Sequence, residues 1–347
     1  LVVTGMHLLR PFGYTVRQIV QDGWRIAARI PMQRGDDESL DQAVGLSRGV
    51  AGIARFLESA ASDIVVVLGD RIEALAGALA AVTTGRILAH IHGGDVAPGD
   101  FDDSLRHAIT KLAHVHFAAT RDAARRIIRM GEAVERVHVV GAPGLDRLRE
   151  LLRTAPAISR CSITNRGGTA LVIYHAWGRR AAVEQQTMAA LLGAVASVGL
   201  RRLICFPNTD RGHRGVLTTI EKHSHESPPG EVRICQSLAR DEYLRALLSA
   251  DVLVGNSSSG IIEAPFAGTP SVNVGGREAG RLPGGPSVLH AGESFAAIRR
   301  ALSAALRLRV KPGGKTAYGD GRAGPRIARH LATLPPTPES QRKVIAY

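Results

Sequence analysis

The sequence is poor in aromatic residues and has no long apolar run. Aromatic residues make up 4% of its 347 residues and apolar residues 45%, so the core must consist mainly of Ala, Val, Leu and Ile. Such a composition favours helices packed on a sheet, and the length fits two domains of roughly 150 to 180 residues each. Because no apolar stretch is long enough to cross a bilayer and no signal peptide is visible, we expect no contact with membranes.

Cysteine is scarce as well. Cys161, Cys205 and Cys235 lie far apart in the sequence and form no CxxC pair. An odd number of widely spaced cysteines argues against a disulfide framework and against a cysteine zinc site. We therefore expect a reduced, cytoplasmic protein.

Lysine is rare although the chain is strongly basic. The net charge is +13, yet only five of the 44 basic residues are lysines, and the arginines are scattered along the chain. Nucleic-acid binding needs clustered positive charge, commonly with aromatic residues that stack on bases. We therefore expect no nucleic-acid partner, whereas a small anionic substrate is compatible with this charge.

Short β-branched runs alternate with longer helical stretches along the chain, which indicates βαβ units and parallel sheets. The predicted strands are residues 1–5, 26–30, 63–69, 86–93, 115–120, 137–141, 169–175, 202–208, 231–238, 251–256 and 270–274. They predict an α/β fold with two Rossmann-like, doubly wound domains and a cleft between them.

The pattern also divides the chain. We predict an N-terminal domain over residues 1–153, a polar linker over 154–168, a C-terminal domain over 169–320 and a final helix over 321–335 that packs back on the N-terminal domain. The sequence opens directly on the strand LVVTG without an initiator Met. We therefore expect the first strand of the N-terminal domain to be missing from this sequence.

Polar residues cluster where the predicted strands end, which is where open parallel sheets bind their ligands. They are Asp70, Arg71, His92, Asp95, His175, Asn208, Asp210 and the run from Asn256 to Ser259. In the stretch GNSSSGIIEAPFAGTP (255–270), backbone N–H groups and serine hydroxyls meet at a strand-to-helix turn, which suits a phosphate. An ordinary serine N-cap with a tight turn fits the same letters.

The segment HIHGGDVAPGDFDDSLRHAITKLAHVHFAAT (90–120) is the densest polar part of the chain. His90 and His92 are two apart in a predicted strand and share a face, as a zinc pair would, with Asp95 or His116 as a third ligand.

Two carboxylates near this segment also have alternative interpretations. Asp102 and Arg106 have the i, i+4 spacing of a helix surface pair, but the same spacing holds a carboxylate rigid for proton transfer. Asp70 either caps the helix that follows it or serves the site.

At this segment the chain resembles the hydrolysing UDP-N-acetylglucosamine 2-epimerases of bacterial sialic acid biosynthesis and of the animal bifunctional epimerase/kinase. Further stretches agree in order over essentially the whole chain. They are TGMHLLRPFGYTVRQI, GDRIEALAGA, FPNTDRGHRG, VGNSSSGIIEAPFAGTPSVNVGGREAGRL and YGDGRAGPRI.

The resemblance implies the GT-B architecture and the conversion of UDP-N-acetylglucosamine to N-acetylmannosamine and UDP. The reaction runs through elimination of UDP to a glycal and addition of water. The resemblance further implies that no metal and no other cofactor is needed, that the partner is a UDP-sugar, and that the protein is a homodimer or homotetramer.

The resemblance also assigns residues. Glu263 matches the carboxylate that holds the ribose hydroxyls, Ser257 and Ser258 match residues that contact the diphosphate, and Arg281 matches an arginine near the nucleotide. Matched to catalysis are Asp70, Asp102 and His175, and the chemistry adds His92 as a candidate acid or base. Asn256 and Ser259 complete the UDP-binding set, and the weaker candidates for substrate binding are Arg71, Arg106, Asn208 and Asp210.

Three residues depart from the family pattern. His92 stands where the animal members carry glutamate, and Ala176 and Trp177 replace the usual Pro-Val after His175. Three other functions stay open. They are a UDP-2,4-diacetamido-sugar 2-epimerase of the legionaminic acid type, which shares these motifs, a retaining glycosyltransferase of the same GT-B architecture, and an inactive nucleotide-sugar-binding remnant.

Overall fold

The structure is a computed structural model that describes residues 1–36, 39–97, 101–154 and 168–346. It divides into two compact units, Leu1–Pro143 with Arg322–Tyr347 and Gly144–Gly321, called unit 1 and unit 2 below. The sequence prediction ended the first domain at residue 153, whereas residues 144–154 belong to unit 2. Apart from residues 154 and 168, the predicted linker lies outside the described residues.

The strands of unit 1 are short and parallel. They are β1 (Val2–Thr4), β2 (Ala28–Ile30), β3 (Ile64–Leu68), β4 (Ile87–Ile91), β5 (Val115–Ala118) and β6 (Val137–Val139). Strands β1 and β2 form a two-stranded sheet, and β3 to β6 form a four-stranded sheet in that order. Each strand lies inside a stretch predicted as a strand, so these predictions are confirmed.

The helices of unit 1 alternate with these strands. They are α1 (Val16–Gln21), α2 (Ser39–Ser59), α3 (Ile72–Thr83), α4 (Asp102–Leu112) and α5 (Arg121–Arg129).

The strands of unit 2 form one parallel sheet. They are β7 (Thr169–Ile173), β8 (Arg201–Cys205), β9 (Val232–Cys235), β10 (Val252–Gly255), β11 (Ser271–Val274) and β12 (Val288–Ala291). The strand order is β12-β11-β10-β7-β8-β9. Strands β10 and β11 are buried along their whole length. Strand β10 accordingly reads as an apolar run, whereas β11 also buries the polar residues Ser271 and Asn273. Strand β12 is an addition to the predicted set.

The helices of unit 2 cover this sheet, and two further helices return to unit 1. The former are α6 (Gly144–Thr154), α7 (Ala181–Ser197), α8 (His213–Glu226), α9 (Arg240–Ser249), α10 (Ser259–Ala267) and α11 (Phe295–Ala305). The latter are α12 (Ala323–Ala332) and α13 (Pro338–Gln341).

Each unit has its own apolar core. In unit 2, Val172, Ile204, Val254 and Val272 of neighbouring strands pack with the helices that cover the sheet. In unit 1, Ile327 of α12 belongs to one core cluster with residues of β4, β5 and the end of β6. No helix within the described residues combines the length and the apolar character that a bilayer crossing requires.

Candidate active site

Asp70 and Arg106 form an ion pair at the carboxyl end of β3. Helix α3 begins after Arg71, whose side chain makes no cap bond, and the Asp70 carboxylate instead pairs with Nη2 of Arg106. The Arg106 side chain is 1% exposed, and its Nη1 donates to Asp103 Oδ1 (2.7 Å) and to the Asp95 carbonyl oxygen (3.0 Å). A buried guanidinium thus fixes Asp70, which the sequence placed in the site, and Asp103, which it did not.

His92 follows β4 in a left-handed backbone conformation with φ 64°. Its Nδ1–H donates to Asp95 Oδ2 at 2.9 Å, and both side chains are largely buried. In the neutral ring the proton therefore sits on Nδ1, and Nε2 is the acceptor. A positive φ is uncommon outside glycine and is often found at functional sites.

His90 does not share a ligand set with His92. The structure ends β4 at Ile91, and the fully buried His90 ring donates through Nε2 to the Gly69 carbonyl at 2.8 Å. Burial lowers the pKa of His90 to about 4, so its ring is neutral. His116 bonds Glu132 (3.1 Å), and no group of three or more metal-ligating side chains occurs within the described ranges.

Two more predicted residues lie nearby in unit 1. Asp102 is the first residue of α4, and Arg71 pairs with Glu73 at 3.4 Å.

His175 lies at the carboxyl end of β7 in unit 2, and two asparagines hold it. Asn256 Oδ1 accepts from the backbone N–H of His175 (2.7 Å) and Asn256 Nδ2 donates to its carbonyl oxygen (2.8 Å). The backbone N–H of Asn208 donates to Nδ1 of the imidazole at 3.1 Å, and the Asn208 side chain bonds Asp210. Because Nδ1 accepts, the proton of the neutral ring is on Nε2, the reverse of His92.

The serine turn follows β10 directly. Gly255 has φ 145°, and a Cβ there would clash with the Ile173 carbonyl oxygen, so only glycine fits. Ser258 is the N-cap residue of α10, but its side chain makes no cap bond, while Ser257 Oγ accepts weakly from the N–H of Ser259 at 3.4 Å. The Ser258 hydroxyl is thus not used as an ordinary cap, which leaves the phosphate interpretation in place.

Glu263 is buried one turn further along α10. Its Oε2 accepts from Ser259 Oγ (2.6 Å) and Tyr243 Oη (3.3 Å), and its Oε1 pairs with Arg240. Arg240 also donates to the Gly144 carbonyl oxygen at 2.6 Å. Burial and then the neighbouring Glu263 charge raise the pKa of Tyr243 well above its usual range, so Tyr243 stays a hydrogen-bond donor.

Arg281 lies in the segment after β11. It pairs through Nε with the buried Glu278, whose other oxygen accepts from Arg277 Nη1 at 2.7 Å. Arg277 Nη1 also donates to the Asn256 carbonyl oxygen at 3.3 Å. The two arginines are therefore tied to the serine turn through Asn256.

In unit 1, the structure thus links Asp70, Arg106 and the His92–Asp95 pair. In unit 2, His175, Asn208, Asp210, Asn256, the three serines, Glu263 and Arg281 lie at the carboxyl ends of the strands. Sequence reasoning missed Arg240, Tyr243, Arg277 and Glu278. The repeated charges in GREAGR signalled the last two, but no local pattern links Arg240 or Tyr243 to Glu263.

One cavity of unit 2 lies apart from these residues. It measures about 460 Å³ and is lined by Pro265 and by residues 283–287, 308–311 and 314–317. Ser287 immediately precedes β12, so this cavity lies at the amino ends of the strands, where open parallel sheets do not bind their ligands.

The chain matches known proteins over its whole length. The family model for UDP-N-acetylglucosamine 2-epimerase matches residues 1–332. The chain is 33% identical to UDP-N,N'-diacetylbacillosamine 2-epimerase (hydrolyzing) of Legionella pneumophila, over 99% of this chain and 90% of that protein. It is 32% identical to UDP-N-acetylglucosamine 2-epimerase of Neisseria meningitidis, over 84% of this chain and 75% of that protein.

A solved structure agrees on the fold. The UDP-GlcNAc 2-epimerase of Methanocaldococcus jannaschii, solved with UDP-GlcNAc and UDP, superposes with a TM-score of 0.71 at 16% identity, over 95% of this chain and 98% of that one. The predicted α/β class with two Rossmann-like units is confirmed, and the fold and the matched sequence agree. The chain therefore belongs to the UDP-N-acetylglucosamine 2-epimerase family.

Proposed function

We propose that the protein is a hydrolysing UDP-N-acetylglucosamine 2-epimerase that forms N-acetylmannosamine and UDP. The observation that carries the proposal is the hydrogen-bonded group of His175, Asn208 and Asn256 directly before the serine turn of residues 257–259. It sets an imidazole beside a turn suited to a diphosphate. The names of the Legionella and Neisseria relatives support the same reaction class.

In this proposal unit 2 binds the nucleotide. The Ser257 and Ser258 hydroxyls, the N-terminus of α10 and Arg281 stabilise the diphosphate, which gains negative charge as its bond to C1 breaks. Glu263 accepts from the ribose hydroxyls, with Arg240 and Tyr243 holding its carboxylate in place.

Inversion at C2 needs a base on one face of the sugar and an acid on the other. His92, oriented by Asp95, presents Nε2 as an acceptor and is the proposed base, and Asp70 and Asp102 are the further carboxylates we propose for catalysis. His175 carries its proton on Nε2 and is the proposed acid. The base removes the C2 proton, the C1–O bond to UDP breaks, and a C1=C2 double bond forms. Water then adds across the double bond. Its hydroxyl goes to C1, Nε2 of His175 gives its proton to C2 from the other face, and the proton of the water restores Nε2.

A second substrate is favoured by one comparison. The Legionella relative acts, by its name, on UDP-N,N'-diacetylbacillosamine. It is 33% identical to this chain, and the match covers 99% of the chain. UDP-N,N'-diacetylbacillosamine is therefore the second candidate substrate. For either sugar, we propose a cytoplasmic enzyme that acts as a homodimer or homotetramer. Light scattering would measure the oligomeric state.

The test is incubation of each UDP-sugar with the full-length protein in deuterated water, followed by proton NMR. The proposal expects free UDP and N-acetylmannosamine with deuterium at C2. Release of UDP only with the diacetamido sugar would select the second candidate, and epimerised UDP-sugar without free UDP would select a non-hydrolysing reaction. Turnover only with an added acceptor would indicate a glycosyltransferase, and no turnover of either sugar would leave the inactive remnant.

Nucleotide binding is tested separately with Glu263→Gln. Loss of the charged acceptor should weaken UDP binding about tenfold in isothermal titration calorimetry, since a hydrogen bond to a charged group contributes about 1.5 kcal/mol or more. Glu221→Gln, at an exposed position of α8, is the matched control and should leave UDP binding unchanged. Unchanged affinity in Glu263→Gln would remove this residue from the nucleotide site.

A further inference from the structure

Arg179 lies four residues after His175, in the loop between β7 and α7, and all three nitrogens of its guanidinium donate hydrogen bonds. Nε donates to Glu184 Oε1 (3.1 Å), and Nη2 donates to Glu184 Oε2 (3.0 Å) and Tyr174 Oη (2.7 Å). Nη1 donates to both carboxylate oxygens of Glu293, at 2.8 and 2.7 Å. Such a planar fork is available only to arginine, because lysine offers a single ammonium.

Glu184 is fully buried and touches the chain on both sides of His175. Besides Arg179, it accepts from the hydroxyl of Tyr174 (2.8 Å), the residue before the histidine, and from the backbone N–H of Trp177 (3.2 Å), two residues after it. Both carboxylate oxygens therefore have two donors each. Through these hydrogen bonds, the buried carboxylate holds in place the segment that carries the imidazole.

Two neighbouring loops approach Glu184 and Glu293 so closely that only glycine fits at the point of contact. A Cβ on Gly212, in the loop after β8, would lie 3.0 Å from Cγ of Glu184. Gly275, after β11, has φ 76°, and its Cβ would lie 2.6 Å from Oε1 of Glu293. The network thus packs against the loops that carry Asn208 and the two site arginines.

Trp177, which replaces a residue of the usual Pro-Val pair, takes part in this packing. The Arg179 guanidinium lies 4.7 Å from the centre of its ring, and a Cβ on Gly276 would lie 3.5 Å from its Cη2. The indole therefore packs between the network and the segment that leads to Arg277. Its departure from the family pattern has a structural role in this chain.

We propose that Arg179 is a positioning residue that fixes the His175 imidazole through Glu184 and Glu293 without contacting the substrate. A buried ion network adds little net stability compared with apolar packing of the same volume, because desolvation of the charges offsets their attraction. What it supplies is one fixed geometry for the loop. The catalytic consequence rests on the proposed function, whereas the effect on the imidazole does not.

The test compares Arg179→Ala with Arg180→Ala, a change at the adjacent exposed arginine. We expect Arg179→Ala to lower kcat about 100-fold, the loss that a displacement of about 1 Å causes, with the Kd for UDP changed less than about twofold. Free guanidinium ion, added well below denaturing concentrations, should restore part of the rate of Arg179→Ala by binding where the arginine side chain was removed. Arg180→Ala should match the wild type in all three measurements.

A second variant covers the case in which Arg179→Ala does not fold, since it leaves the fully buried carboxylate of Glu184 without its cationic partner. In the triple change Arg179→Met, Glu184→Gln and Glu293→Gln, the network is neutral, and the same loss of kcat is expected in a folded protein. A folded variant with wild-type kcat, or with kcat and UDP affinity falling in parallel, would overturn the proposal.

An NMR measurement keeps the inference separate from the proposed reaction. In wild-type protein, ¹⁵N spectra should show His175 with Nδ1 as acceptor and the proton on Nε2, with the signal assigned by its loss in His175→Gln. In Arg179→Ala the ring should average between tautomers. An unchanged ring would overturn the positioning role even if neither sugar is turned over, and a changed ring in an inactive protein would refute only the proposed reaction.

Discussion

His92 of unit 1 and His175 of unit 2 have opposite hydrogen-bonding patterns. His92 donates through Nδ1 to Asp95, and His175 accepts at Nδ1 from the Asn208 backbone. In the neutral rings, Nε2 of His92 is therefore a hydrogen-bond acceptor, whereas Nε2 of His175 is a donor. The sequence indicates both residues, but the position of each ring proton depends on partners that only the folded chain brings into contact.

The role of His175 predicts a large kinetic effect of a small change. His175→Gln keeps the side-chain size but removes the titratable proton, so kcat should fall about 10²- to 10⁴-fold, the usual contribution of a general acid. The control is His225→Gln on the exposed side of α8. Steady-state rates for the two variants, with their melting temperatures, decide the matter, and a fall of less than tenfold would exclude His175 as the acid.

His90 predicts a pH dependence of stability. Burial lowers its pKa from 6.5 to about 4, so between these values the unfolded chain binds a proton that the folded chain does not. Its contribution to stability is intact above pH 6.5 and is lost as the pH falls towards 4, by up to about 3 kcal/mol.

The variant His90→Asn tests this sign. It should be less stable than the wild type at pH 7.5, because the bond to Gly69 is altered, but its unfolding free energy should fall less between pH 6.5 and 4. Urea unfolding at several pH values measures both quantities. Parallel curves for the two proteins would show that His90 is not the group that titrates.

At the scale of the elements, buried strands were the easiest part to predict. Strand β10, VLVG, is buried along its whole length, and its letters are apolar without interruption. Strand β12 was missed because it lies at the edge of its sheet, where His290 is exposed and the apolar run is short.

The residues of the candidate site also differ in how well the sequence predicts them. Residues at strand ends were predictable because topology places those ends on one edge of a sheet. Partners from other elements, such as Arg240 beside Glu263, depend on how helices pack and leave no signal in the local sequence. Asp103 is a different case, since it lies on the same helix as Arg106 and pairs with it at i, i+3, whereas the sequence reasoning considered only the i, i+4 spacing of Asp102.

The turn between β10 and α10 depends on Gly255, which predicts a stability effect. Gly255→Ala combines a positive φ with a clash against the Ile173 carbonyl oxygen. The control Gly230→Ala has φ 82° but nothing within 4 Å of the added Cβ. The control should cost roughly 1 to 2 kcal/mol, and Gly255→Ala about 2 kcal/mol more, because the neighbouring strand must shift.

Chemical denaturation of the two glycine variants gives this difference directly. UDP affinity should fall only in Gly255→Ala, since the distorted turn carries the serines. An equal loss of unfolding free energy in the two variants would show that the turn accommodates the added Cβ without displacing β7.

For the whole molecule, the path of the chain matters more than any single element. The chain leaves unit 1 after Pro143, builds unit 2 and returns at Arg322. The core of unit 1 therefore includes α12, which is far away in sequence. Cutting the chain into an N-terminal and a C-terminal half would consequently remove part of the first core.

Ile327→Ala tests this dependence. Ile327 is 7% exposed and lies in one cluster with Ala89, Phe117 and Val140, so the change should cost about 2 to 4 kcal/mol. The control Val344→Ala alters a side chain that is 65% exposed and should stay within about 0.5 kcal/mol. Hydrogen exchange should show faster exchange in β4 and β5 and unchanged protection in β7 and β8, because the units have separate cores. Loss of protection in β7 and β8 as well would show that the two units unfold as one.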